Sequence, residues 1–136
     1  MKITVSQTIN RFPSQAWTYW TLPEHIQNWY HASDDWGVGE VTNDVRVSGN
    51  FSINMHAKDN SAGFDFTGIY SVVEPNNKLS YNITGGREVE ITFQQVGENT
   101  LVTEIFDAET ENSEELQRSG WQAILDNFKK YCESQK

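Results

Sequence analysis

Cysteine is almost absent from this sequence: Cys132 stands alone, so no internal disulfide can form. With no Cys/His cluster, a structural zinc site is not expected either, and Cys132 reads as an ordinary helix residue. Long apolar runs are missing too. No stretch approaches the roughly 20 apolar residues that span a bilayer, and no N-terminal run resembles a signal peptide, so the expected location is cytoplasmic. Cations are scarce, with 10 Lys and Arg against 19 Asp and Glu, a formal charge of -9. Such a surface repels phosphate backbones and anionic lipids, which leaves nucleic acid and membrane insertion outside the expected partners.

Rings are what the sequence does have. Hydrophobic residues make up only 37%, yet there are 5 Trp, 5 Tyr and 7 Phe, so much of the burial must come from aromatic side chains. At this length one domain, residues 1–136, is expected, burying roughly two thirds of the surface of the unfolded chain.

The pattern along the chain opens with a strand over residues 2–10, where Ile3, Val5 and Ile9 alternate around a polar Gln7. Pro13 suits a first helical turn, with Ala16, Trp17 and Trp20 at helical spacing. Thr21-Leu22-Pro23-Glu24 has the form of a capping box, and Ile26, Trp29 and Tyr30 follow three or four apart, predicting a second short helix that ends near Trp29. Gly49 to Lys58 puts Phe51, Ile53 and Met55 on one strand face, and residues 64–74 do the same with Phe64, Phe66, Gly68, Tyr70 and Val72. A two-residue Asp59-Asn60 turn would pair Met55 with Phe64, Ile53 with Phe66 and Phe51 with Gly68, a ring over a glycine.

In the next hairpin Leu79, Tyr81 and Ile83 face Val89, Ile91 and Phe93, which requires an odd loop such as Thr84-Gly85-Gly86. A strand from Thr100 to about Glu109 is ambiguous, since either Leu101, Thr103 and Ile105 or Val102, Glu104 and Phe106 could face inward. Asn112-Ser113-Glu114-Glu115 has a capping-box form and opens a helix of about five turns with the stripe Trp121, Ile124, Leu125, Phe128 and Cys132. Gly120 within it suggests close packing on another element. A curved antiparallel sheet gripping this terminal helix satisfies all the apolar faces together.

The sequence resembles the activator-of-heat-shock-protein-90-ATPase homologue family of the START-like, or SRPBCC, superfamily. The resemblance is carried by Trp29 after Leu22-Pro23-Glu24-His25, by Ser33-Asp34-Asp35-Trp36, and by Asn43-Asp44-Val45-Arg46 before Gly49-Asn50-Phe51. Gly63 to Gly68 with Tyr70, then Gly86-Arg87, Phe106-Asp107-Ala108-Glu109 and Gly120-Trp121 leading to Ile124-Leu125 extend it over nearly the whole chain. Where the familiar pattern has two glycines, this chain has Ser48-Gly49. The resemblance implies an α+β helix-grip (START/Bet v-like) fold whose space between sheet and helix is often a cavity. Members bind lipids, hormones or polyketides or carry out cyclase and aromatase chemistry, and the family name comes from co-chaperones whose C-terminal domain this chain resembles. Relatives tend to keep apolar residues at the positions of Val102, Glu104 and Phe106, which turns Glu104 inward. A two-residue Glu98-Asn99 turn would then set Phe93 opposite Glu104 and Ile91 opposite Phe106.

The expected function is binding of a small apolar or aromatic molecule between sheet and helix, with no metal or organic cofactor. The expected lining is Trp29, Trp36, Phe51, Met55, Phe66, Tyr70, Tyr81, Phe93, Glu104, Trp121, Leu125 and Phe128, with Tyr70 and Tyr81 favoured as polar contacts because a buried hydroxyl needs a partner. A second reading is a cofactor-independent cyclase or hydrolase-type enzyme with Glu104 as its catalytic carboxylate, since a desolvated carboxyl holds its proton more tightly. A third is regulation of a chaperone ATPase. His31 with Asp34 and Asp35 reads as solvated loop chemistry, His56 with Asp65 as an outward pair, and Asp44 with Arg46 as an ion pair on one strand face.

Overall fold

The computed structural model describes residues 1–135. Strand β1 (Lys2–Ile9) leads into α1 (Pro13–Thr21) and the one-turn α2 (Pro23–Ile26). Six strands follow: β2 (Trp36–Asn43), β3 (Asn50–Ala57), β4 (Gly63–Glu74), β5 (Lys78–Ile83), β6 (Glu88–Val96) and β7 (Asn99–Asp107). The chain closes with α3 (Glu114–Ser134). All seven strands form one antiparallel sheet in the order β1-β7-β6-β5-β4-β3-β2, so β1 returns to pair with the last strand. This is the expected helix-grip architecture. Among the described residues no helix is long and apolar enough to cross a membrane.

The core lies between the inner sheet face and α3. Leu125, Phe128 and Cys132 on α3 are fully buried, and each large apolar side chain so placed contributes about 1.5–3 kcal/mol relative to exposure. Phe128 meets Trp29 at 4.6 Å and Trp20 at 4.9 Å between ring centroids, which ties the helix to α1 and the turn after α2. Gln7, the polar interruption of β1, donates to Asp126 Oδ1 on α3 at 3.0 Å, so a hydrogen bond replaces an apolar contact there.

The β3–β4 register places Met55 opposite Phe64, Ile53 opposite Phe66 and Phe51 opposite Gly68, as the sequence predicts. A Cβ on Gly68 would lie 2.6 Å from the Phe51 ring, so the ring needs the glycine beneath it. The β5–β6 hairpin also turns as expected through Thr84-Gly85-Gly86, with both glycines at positive φ and Ile83 N–H donating to the Arg87 carbonyl at 2.7 Å.

Several details depart from the sequence reading. Thr21 does not cap α2: its hydroxyl donates to the Trp17 carbonyl at 2.8 Å and finishes α1, leaving Leu22 as the N-cap. Strand β2 was not anticipated, because a register shift between Val38 and Val41 breaks its alternation. Asp44 and Arg46 follow it in a turn rather than on a strand face. A bulge between Tyr70 and Val72 reverses the parity of β4, so Val73, opposite Leu79, packs on the core in place of Val72. The β6–β7 turn is Gly97-Glu98, not Glu98-Asn99, because Gly97 takes a φ of 63°. That slides the register by two residues and keeps every side chain on its expected face.

Ser113, not Asn112, caps α3, its Oγ accepting from Leu116 N–H at 3.0 Å. The helix runs 21 residues, about six turns. Gly120 is not closely packed: a Cβ there would meet nothing within 4 Å.

Candidate functional site

Glu104 is inward because β7 alternates. Val102 and Phe106 on either side of it are fully buried, and pleating turns the residue between them to the same face. Glu104 is itself only 4% exposed. Its ladder neighbours are Val5 on β1 and Ile91 on β6, both apolar. Burial pushes its carboxyl up to about 8, with no cation or hydrogen-bond donor among the described residues offsetting the loss of water.

The carboxyl lies on a half-open pocket of about 210 Å³ lined also by Tyr30, Met55, Phe64, Phe66, Arg87, Trp121 and Ile124. Tyr30 and Glu104 form its buried depth, and Phe64, 52% exposed, stands at the rim. Trp121 is fixed by stacking on Phe106, with centroids 3.8 Å and planes 10° apart. Tyr30 stacks loosely on Phe66 at 5.9 Å. Burial raises the Tyr30 and Tyr81 hydroxyls above the ordinary phenol range, and the charge of a nearby ionised Glu104 pushes both in the same direction. Arg87 lies on the pocket wall and its Nη1 donates to the Asp107 carbonyl at 3.4 Å.

Of the side chains expected to line the interior, Met55, Phe66, Glu104 and Trp121 come together on this pocket. Trp29, Phe93, Leu125 and Phe128 are buried elsewhere in the core, and the Trp29 indole N–H donates to the Tyr19 carbonyl at 3.1 Å. Trp36 is half-buried against Phe64 at 6.1 Å. Phe51, Tyr70 and Tyr81 border a separate recess of about 20 Å³, room for a single water. The Tyr70 hydroxyl already donates to Asn43 Oδ1 at 2.6 Å, so its partner is protein.

Sequence reasoning missed Tyr30, Phe64, Arg87 and Ile124. For Tyr30 and Ile124 the signal was present, since each falls on an apolar helical stripe. Phe64 shares the face of Phe66 but is left half exposed at the start of β4. Arg87 belongs to the Gly86-Arg87 motif of the resemblance, but no periodicity places it on the pocket.

The remaining polar candidates are structural. The carbonyl of His31 accepts from Asn127 Nδ2 on α3, which anchors the loop after α2, while Asp34 and Asp35 are exposed. Asn54 bridges His56 and Asp65 on the outer face, at 3.0 Å and 2.9 Å. Asp44 and Arg46 form an ion pair at 2.8 Å. Among the described residues no three His, Cys, Asp or Glu side chains gather as metal ligands.

The site is therefore an apolar recess with one carboxyl and one phenol at depth. It can hold a small molecule by its rings and address one polar atom of it, as hydrogen-bond donor while Glu104 keeps its proton and as counter-ion once it is lost.

Residues 11–133 match the family model described as "Activator of Hsp90 ATPase homolog 1-like protein". Among solved structures, the AHSA1-like protein from Aeromonas hydrophila is 43% identical with a TM-score of 0.93, over 98% of this chain and 93% of that one. Chr148 from Cytophaga hutchinsonii is 45% identical with a TM-score of 0.84, over 97% and 92%. A protein from Nitrosomonas europaea, at 17% identity and a TM-score of 0.87 over 100% and 96%, shares the fold. Nothing matches among curated proteins.

Proposed function

Because the chain belongs to the Activator of Hsp90 ATPase homolog 1-like family, we propose that residues 1–136 act as one START-like domain that binds a compact, largely apolar molecule between the sheet and α3. The observation that carries this reading is a buried carboxyl, without a partner among the described residues, at the depth of a pocket walled by Tyr30, Phe64, Phe66 and Trp121. A carboxyl at the depth of an apolar recess presents a polar group that a ligand atom can pair with.

Its size sets the scale of the occupant. A cavity near 150 Å³ accepts benzene, so about 210 Å³ has room for a ring with a short side chain. Calorimetric titration with compact aromatics tests the reading, alongside Ile124→Trp, which fills the pocket from α3. Saturable binding lost in the filled variant is the expected result; binding unchanged by the filling, or none, rejects it.

The family description also carries a second reading, activation of the Hsp90 ATPase. That role would use an outer surface, so Ile124→Trp would leave a stimulated ATP turnover intact while abolishing small-molecule binding.

A further inference from the structure

Resting on the pocket reading above, we infer that the occupant is a compact organic amine, its ammonium paired with Glu104 and its apolar body held among the surrounding rings. Once Glu104 gives up its proton, the charge left for a ligand to complete is negative. Glu104 has apolar neighbours on both strands beside it, Val5 and Ile91. Among the described residues Arg87 is the one cation on the pocket wall, and it donates to the Asp107 carbonyl. A bound ammonium thus meets a carboxyl that, once ionised, no described side chain has neutralised.

The walls suit the same chemistry. The faces of Trp, Tyr and Phe attract cations by about 0.5–2 kcal/mol, most strongly where water is excluded, and four of the eight lining residues are such rings. The field of the whole chain, with a formal charge of -9, concentrates cations at its surface and repels an anionic analogue of the same shape.

Protonation decides how binding responds to pH. Near neutrality the empty site holds Glu104 mostly protonated, so an ammonium that binds expels that proton to solvent and pairs with the carboxylate left behind. The other ionisable groups around it are the Tyr30 and Tyr81 hydroxyls, with Tyr70 beyond them, and burial keeps all three protonated throughout this range. The α3 side of the pocket contributes only Trp121 and Ile124. One group therefore governs the linkage, and amine affinity rises about tenfold per pH unit until the carboxyl is ionised.

The test is calorimetric titration of the full chain with phenethylamine, phenethyl alcohol and phenylacetate, a cation, a neutral molecule and an anion on one apolar frame. Each is titrated at pH 6, 7 and 8, in two buffers of different ionisation heat to count protons. The amine should bind tightest, gain affinity with pH and release close to one proton at pH 6. Glu104→Gln, close to Glu in shape and uncharged, should cost the amine at least tenfold, erase its pH dependence and cost the alcohol much less than the amine. If the alcohol binds as tightly as the amine, or the amine is indifferent to pH and to Glu104→Gln, the amine inference is overturned while the pocket reading stands. Absence of binding by all three, or binding that Ile124→Trp does not reduce, overturns both.

Discussion

The indole of Trp121 lies flat on the ring of Phe106, planes 10° apart, and Phe106 is the next inward residue after Glu104 on β7. Helix α3 thus meets the sheet beside the buried carboxyl, and a single stacked pair both fixes the helix and builds the pocket wall. Trp121→Leu should remove about 1–3 kcal/mol of stability in urea unfolding, through lost area and lost stacking. It should also weaken binding of a compact aromatic at least tenfold in a calorimetric titration.

Glu104 makes stability depend on pH. Its folded value, about 8, lies above the ordinary 4.5, so the folded chain keeps a proton that the unfolded chain has already lost. This contribution to stability is therefore fullest below about pH 4.5 and is lost as pH rises towards 8, by several kcal/mol in all, then levels. Glu104→Gln should abolish this component. Urea unfolding of both proteins at pH 5, 6.5 and 8 checks it: the difference should favour the variant increasingly with pH, and a constant difference would show that Glu104 is already ionised or solvated.

Much of this site is written in alternation. The inward face of β3 and β4, the three-residue glycine loop and the α3 stripe follow from residue periods and turn chemistry alone. What alternation could not supply is where it breaks: the shift in β2 and the bulge after Tyr70 each insert a residue whose only signature is three-dimensional. Nor does periodicity separate lining from filling. Phe128 and Trp121 share one helical stripe, yet Phe128 is sealed by Trp20 and Trp29 while Trp121 borders open space. Tyr30 shows the converse, a stripe residue that reaches the pocket only because the chain turns immediately after α2.

Two glycines should respond to alanine with opposite sign. At Gly120 the added methyl meets nothing within 4 Å, and an alanine in a helix interior is favoured by about 1 kcal/mol, so Gly120→Ala should raise the melting temperature by a few degrees. At Gly68 the methyl would lie 2.6 Å from the Phe51 ring and 2.9 Å from the Asn82 carbonyl. Gly68→Ala should therefore cost about 1–3 kcal/mol, visible as a lower melting temperature in a thermal scan.

The most direct measurement is of the pocket itself. With the methyl groups of Met55, Ile124, Val47 and Ile69 observed by NMR, the full chain is titrated with phenethylamine and phenethyl alcohol. Met55 and Ile124 line the pocket, while Val47 and Ile69 are 60% and 55% exposed outside it. Occupation of the pocket should shift the Met55 and Ile124 methyls saturably and leave Val47 and Ile69 in place. Shifts confined to Val47 and Ile69, or no shift with either compound, would contradict a binding site between the sheet and α3.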